Sequence, residues 1–260
     1  MKRTFIVLMA VTGLALAACS SPKIGVNQTA TTGAGSQTTG TTKTTTAPAP
    51  TTGTVSPLLT GTAHPTIPAL VPGKVAIIMT GSVNGSVGST VPVMVGNGTT
   101  GTISSIEVAG PAVDSTGKIV GSGDSQGFEP VNLRPGQVAF GFAYFSSSVP
   151  AGATFQFKVT YRDGASSTHQ NVQVTQANAG TDPNLPSVVG AVTNSGKVKV
   201  SSPIEANVYC FDAAGAYVEA VSGFTDGNAD LTPGAVASFS VNLGATACPT
   251  FLVGSSAYTF

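Results

Sequence analysis

A set of turn residues occurs twice in this sequence at a fixed spacing, and that repetition restricts the fold more than any single motif. Asp114-Ser115-Thr116-Gly117 returns as Asp212-Ala213-Ala214-Gly215, and Leu133-Arg134-Pro135-Gly136 as Leu231-Thr232-Pro233-Gly234, both at an offset of 98. Ala139 returns as Ala237, and an Asn-containing turn precedes each set, Gly96-Asn97-Gly98 and Thr193-Asn194-Ser195-Gly196. In Asp-x-x-Gly the Asp side chain caps the turn locally and the glycine supplies positive φ, so Asp114/Gly117 and Asp212/Gly215 each close a strand pair. Pro135-Gly136 and Pro233-Gly234 fix a second corner before the next strand, Val138–Phe145 or Val236–Leu243. One supersecondary unit is built twice.

The segments between the turns are strands. Val75-Ala76-Ile77-Ile78-Met79, Val91-Pro92-Val93-Met94-Val95 and Val172-Gln173-Val174 are short apolar or β-branched runs. In Thr154–Tyr161, Phe155, Phe157, Val159 and Tyr161 alternate onto one face, as a half-buried strand requires. After residue 20 no stretch keeps a helical period over three turns. Charged residues make up 8% of the chain, against roughly 25% in an average soluble domain, leaving little material for solvated helices. The fold class expected is all-β, as two β-sandwich modules.

The residues that carry this pattern resemble the FxLYD family of bacterial immunoglobulin-like sandwiches. The match runs through Asn194, Val208-Tyr209-Cys210-Phe211-Asp212, Gly215, Leu231, Pro233-Gly234 and Phe239. The first copy departs from it, with Val113 where an aromatic precedes the Asp and Phe140 one position early. The resemblance implies an immunoglobulin-like fold and a cell-surface setting, with no catalytic residues.

The N-terminus reads as an address. Lys2 and Arg3 precede an uncharged apolar stretch from Thr4 to Ala18, too short for a bilayer span of about 20 residues and of signal-peptide length. It ends in Leu16-Ala17-Ala18-Cys19, which resembles the bacterial lipobox. That resemblance implies cleavage before Cys19, acylation of its thiol and anchorage to a membrane by lipid. A plain secretory signal with an incidental cysteine is the alternative. Ser20, where an inner-membrane retention signal has Asp, favours the outer membrane if the cell has two.

The organisation expected is therefore a signal peptide (1–18), lipidated Cys19 with a disordered tether (19–73), module 1 (74–176), a joint (177–186) and module 2 (187–260). Residues 20–73 hold sixteen threonines and only Lys23 and Lys43 as charges, without an apolar period. Loss of Lys2 and Arg3 leaves nine basic and eleven acidic residues, a net of about −2. With no basic cluster, nucleic acid is not an expected partner.

Cys210 and Cys248, the thiols that remain besides Cys19, suggest a disulfide in an exported β-domain, with two buried free thiols as the alternative. No CxxC accompanies His64 or His169, so no metal or other cofactor is expected. Gly96–Gly101 fits GxGxxG but precedes a strand, Thr102–Val108, where a dinucleotide site needs a helix. Gly123-Asp124-Ser125-Gln126-Gly127 fits GxSxG, with Asp163 and His169 in hydrolase order, yet Phe128-Glu129-Pro130-Val131 cannot open the helix of a nucleophile elbow. Asp226-Gly227-Asn228-Ala229-Asp230 starts like a calcium loop but lacks its glycine and terminal glutamate. The function expected is a non-catalytic interaction or structural module of the bacterial envelope with a protein or polymer partner. The alternatives are a hydrolase using Ser125 and His169, or a glycan-binding module, which the absence of tryptophan disfavours.

Overall fold

Every regular element among the residues that the computed structural model describes, 51–85 and 88–259, is a β-strand. The first two, β1 (Thr54–Val55) and β2 (Thr60–Gly61), lie in the segment expected to be tether. That expectation fails for residues 51–73. Leu59, Ala63 and Leu70 are buried, and the segment straps two sheets together: β1 pairs parallel with one and β2 antiparallel with the other. Its apolar residues showed no period because each fills a separate gap between the sheets, with no continuous face to build.

The first sheet contains β3 (Val75–Thr80), β4 (Ser89–Asn97), β5 (Ile103–Val113), β6 (Ile119–Glu129) and β7 (Asn132–Leu133), followed by β8 (Gln137–Phe145), β9 (Thr154–Phe155) and β10 (Lys158–Asp163). Its order is β10-β5-β6-β8-β4-β3, curled so that the edge strands β10 and β3 approach each other across the core. Val91, Val93, Val95, Ile103, Val108 and Phe145 fill that core. Phe155, Phe157 and Val159 pack against it as their alternation requires, but a register shift between Thr160 and Arg162 leaves Tyr161 exposed.

The second sheet contains β11 (His169–Ala179), β12 (Ser187–Thr193), β13 (Ser201–Phe211), β14 (Tyr217–Phe224), β15 (Val236–Asn242) and β16 (Thr250–Tyr258), in the order β14-β13-β16-β11-β12-β15. Strand β11 turns the corner: residues 169–172 pair with β16 and residues 173–179 with β12. The joint expected at 177–186 thus begins inside a strand, and residues 169–176 belong with the second sheet. The chain crosses between sheets at residues 164–168, after β10. Consecutive strands usually pair, and here they do not.

The two sheets share a third core. Side chains alternate across a strand, so β4 sends Val91, Val93 and Val95 into the first core and Met94 out the other side. Likewise β8 sends out Val138 and Phe140, and β13 sends out Tyr209 and Phe211, while Val208 and Cys210 enter the second core. Tyr217 and Leu252 complete the set with Leu59, Ala63 and Leu70 of the strap. Phe140 sits with its ring centroid 5.5–5.6 Å from Tyr209, Phe211 and Tyr217. The Tyr217 hydroxyl donates 2.8 Å to the buried Gly141 carbonyl. Burial on both faces is what makes these runs read as continuously apolar.

The repeat is built into the backbone. Strands β5 and β13 begin and end 98 positions apart. Asn97, fully buried at the end of β4, donates to the Gly101 and Leu133 carbonyls, and Asn194 donates to those of Val198 and Leu231. Gly117 and Gly215 lie at φ 83° and 77°, where a Cβ is disfavoured, and each N–H donates to its Asp carbonyl.

Candidate functional site

The site grows from two irregularities in neighbouring strands of the first sheet. In β5, Ser105 holds φ at +49°, opposite the register shift in β10. In β6 the pairing with β8 slips between Ser125 and Phe128. Bulges of this kind re-aim side chains beside functional clefts. Here they border a cleft of about 530 Å³ whose lining includes Glu107, Asp124, Ser125 and Glu129 of the first sheet and His169 and Glu205 of the second.

Glu129 is the unusual member. It ends β6, is only 2% exposed, and meets β16 where a Cβ on Gly254 would fall 2.6 Å from its own. Burial pushes its carboxyl up to about 8, and the nearby charge of Glu205 pushes the same way. The Ser256 hydroxyl and the Val131 N–H pull less strongly downward. Glu129 is therefore mostly protonated at neutral pH. His169 stacks on Tyr258 with centroids 4.3 Å apart and planes 2° from parallel. Burial lowers its pKa, against an upward pull from Glu205, so the imidazole is held neutral.

Three buried side-chain atoms, Glu129 Oε2, His169 Nε2 and Ser256 Oγ, make no hydrogen bond of good geometry among the described residues, although the Ser256 hydroxyl lies near enough to the Glu129 carboxyl to favour its ionised form. Buried polar atoms are normally satisfied, and all three of these belong to one neighbourhood. Glu129 and His169 line the cleft, and Ser256 pairs in register with Glu205. No Lys or Arg is among the described residues that line the cleft, and the Lys199–Asp230 ion pair lies elsewhere.

The residues singled out from sequence fall as follows. Cys19 lies outside the described residues. Cys210 in β13 and Cys248 before β16 form a disulfide, with Cα atoms 4.9 Å apart. Asp114 Oδ1 accepts from the Thr116 and Lys118 N–H groups, and Asp212 Oδ1 from those of Ala214 and Ala216. Gly136 and Gly234, after Pro135 and Pro233, donate to the Asn97 and Asn194 carbonyls.

Ser125 sits within β6, with no strand–turn–helix elbow, and its Oγ accepts from the Val108 N–H at 3.0 Å. Ser125 and His169 line the same cleft, but no hydrogen bond joins them, nor His169 to Asp163. Asp226 accepts from Ser238, and Asp230 is engaged by Lys199 and the Ser202 N–H. No cluster of three or more His, Cys, Asp or Glu is placed to hold a metal among the described residues.

Sequence reasoning missed Glu129, Glu205 and Ser256. The available signal was a carboxylate inside an apolar run, Gly127-Phe128-Glu129-Pro130-Val131, in a chain with only eleven acidic residues. Comparison with known proteins gave no match to a family model, a curated protein or a solved structure.

Proposed function

We propose that this chain is an exported, lipid-anchored protein of the bacterial envelope whose two immunoglobulin-like sandwiches act as one non-catalytic binding body. The observation that carries this reading is the shared apolar core. It welds both sheets and the strap together, leaving the polar cleft as a fixed concave surface between them. The recurring Asp-x-x-Gly and Asn turns support the tandem FxLYD-type assignment. The lipobox-like Leu16–Cys19 supports the anchor.

Fractionation of cells expressing the full chain tests the anchor: wild type sediments with membranes and Cys19→Ser moves to the soluble exported fraction. A variant that stays membrane-bound overturns it. An active-site serine probe tests the non-catalytic reading, and stoichiometric labelling lost in Ser125→Ala would replace it with a hydrolase.

A further inference from the structure

The inter-sheet cleft continues past Gln126 and Glu205, which also line a second hollow of about 410 Å³ bordered by Tyr144 and Phe224. Those two rings are 42% and 55% exposed. Cross-strand register sets a carboxylate opposite each ring, Asp124 facing Tyr144 in the first sheet and Glu205 facing Phe224 in the second. Each sheet thus contributes one acid and one aromatic to the same trough. Residues directly opposite in adjacent strands share a face, so each acid and its ring stand side by side.

Deeper in, Glu129 Oε2, His169 Nε2 and Ser256 Oγ have no hydrogen-bond partner of good geometry among the described residues. All three can accept hydrogen bonds. The terminal torsion of a Glu side chain is soft, so the Glu129 carboxyl can turn toward a group entering the cleft. Carboxyl groups with no Lys or Arg in the lining, buried polar atoms left without a well-placed partner, and exposed rings beside them point to one chemistry. The missing partner is positively charged, rich in N–H donors, and carried on an apolar stem that can lie on an aromatic face.

We propose that the cleft binds an organic cation, an ammonium or guanidinium group on an apolar stem, with its charge between Glu129 and Glu205 and its stem against Tyr144 and Phe224. This rests on the non-catalytic binding reading and names its ligand class. The group comes either from a free amine or from a Lys or Arg side chain of a peptide. Arg162 borders a neighbouring hollow with Glu107, so the cation sits at the Glu129–Glu205 end.

Isothermal titration of the full-length protein at pH 7 tests the assignment. The titrants are cadaverine, agmatine, N-acetyl-lysine methylamide and the uncharged 1,5-pentanediol. The cations bind and the diol does not, and whichever of free amine or capped lysine binds more tightly identifies the source. Glu205→Gln weakens binding by about 10-fold or more, the loss expected for a charge-assisted contact. Glu129→Gln, which mimics the protonated acid and so preserves the fold, weakens it as well. It also abolishes the release of up to one proton per cation, read from the dependence of the heat on buffer ionisation.

Equal binding of the diol, no heat from any cation at millimolar concentration, or unchanged affinity in both variants overturns the proposal. So does a cation-soaked crystal in which a water alone bridges the three unpartnered atoms. A null titration with Cys19-dependent membrane attachment intact removes the cleft assignment and leaves the binding-body reading standing. Serine-probe labelling of Ser125 removes that reading itself.

Discussion

Glu129 makes stability depend on pH in a direction opposite to that of most carboxylates. Its pKa is about 8 in the folded chain against an ordinary 4.5, so between those values the folded state holds a proton that the unfolded state has lost. Stability from the protonated acid is fully present below pH 4.5 and is lost as pH rises toward 8. The slope is about −1.4 kcal/mol per pH unit and the total about 5 kcal/mol. His169 works the other way, since its lowered pKa costs stability as pH falls below the usual imidazole range. Glu219, about half buried, has a raised pKa that adds a smaller slope of the Glu129 sign.

Comparing wild type with Glu129→Gln cancels both background contributions. Urea denaturation from pH 5 to 8.5 shows the variant gaining on wild type by about 3–5 kcal/mol across that range. The m-value is unchanged. Parallel stability curves for the two proteins would refute the buried, protonated carboxyl and the physical basis of the cleft with it.

Two further outcomes follow from the repeat and the disulfide. Asn194→Ala removes its hydrogen bonds to the Val198 and Leu231 carbonyls, the latter keeping its bond from the Val200 N–H, and lowers stability by about 1–3 kcal/mol, with Asn97→Ala costing a similar amount, measured by urea denaturation at pH 6. Cys210→Ser with Cys248→Ser opens a loop with a sequence separation of 38 and lowers stability by about 4 kcal/mol in the chain-entropy picture. Calorimetry of the double variant beside reduced wild type checks this, since both shift alike.

The turns were legible because turn chemistry is local. Asp114, Gly117, Asp212 and Gly215 work within five residues of themselves. The strands starting near Val138 and Val236 were legible from the Pro-Gly corners that precede them. The strap was not: Leu59 and Leu70 are buried only because two separate sheets meet around them. Nor was the corner in β11, where residues 169–172 and 173–179 pair with different strands. A sequence window sees alternation but not the partner. The site was hidden for a related reason. Glu129 and Glu205 are 76 positions apart, and what makes Glu129 unusual is its burial beneath a strand still more distant in the chain. GxSxG drew attention to the right neighbourhood through Ser125 and His169, but for chemistry that their hydrogen bonds do not assemble.

Both sheets and the strap form one body held by the core around Phe140. Native-state hydrogen exchange against urea measures this directly, because amides that open together converge on one free energy. The slowest amides of β8 and β13 should converge on a single value, and Phe140→Ala should lower both by the same 3–5 kcal/mol or so. Convergence on two separate values in the wild-type protein, with Phe140→Ala moving only β8, would contradict it.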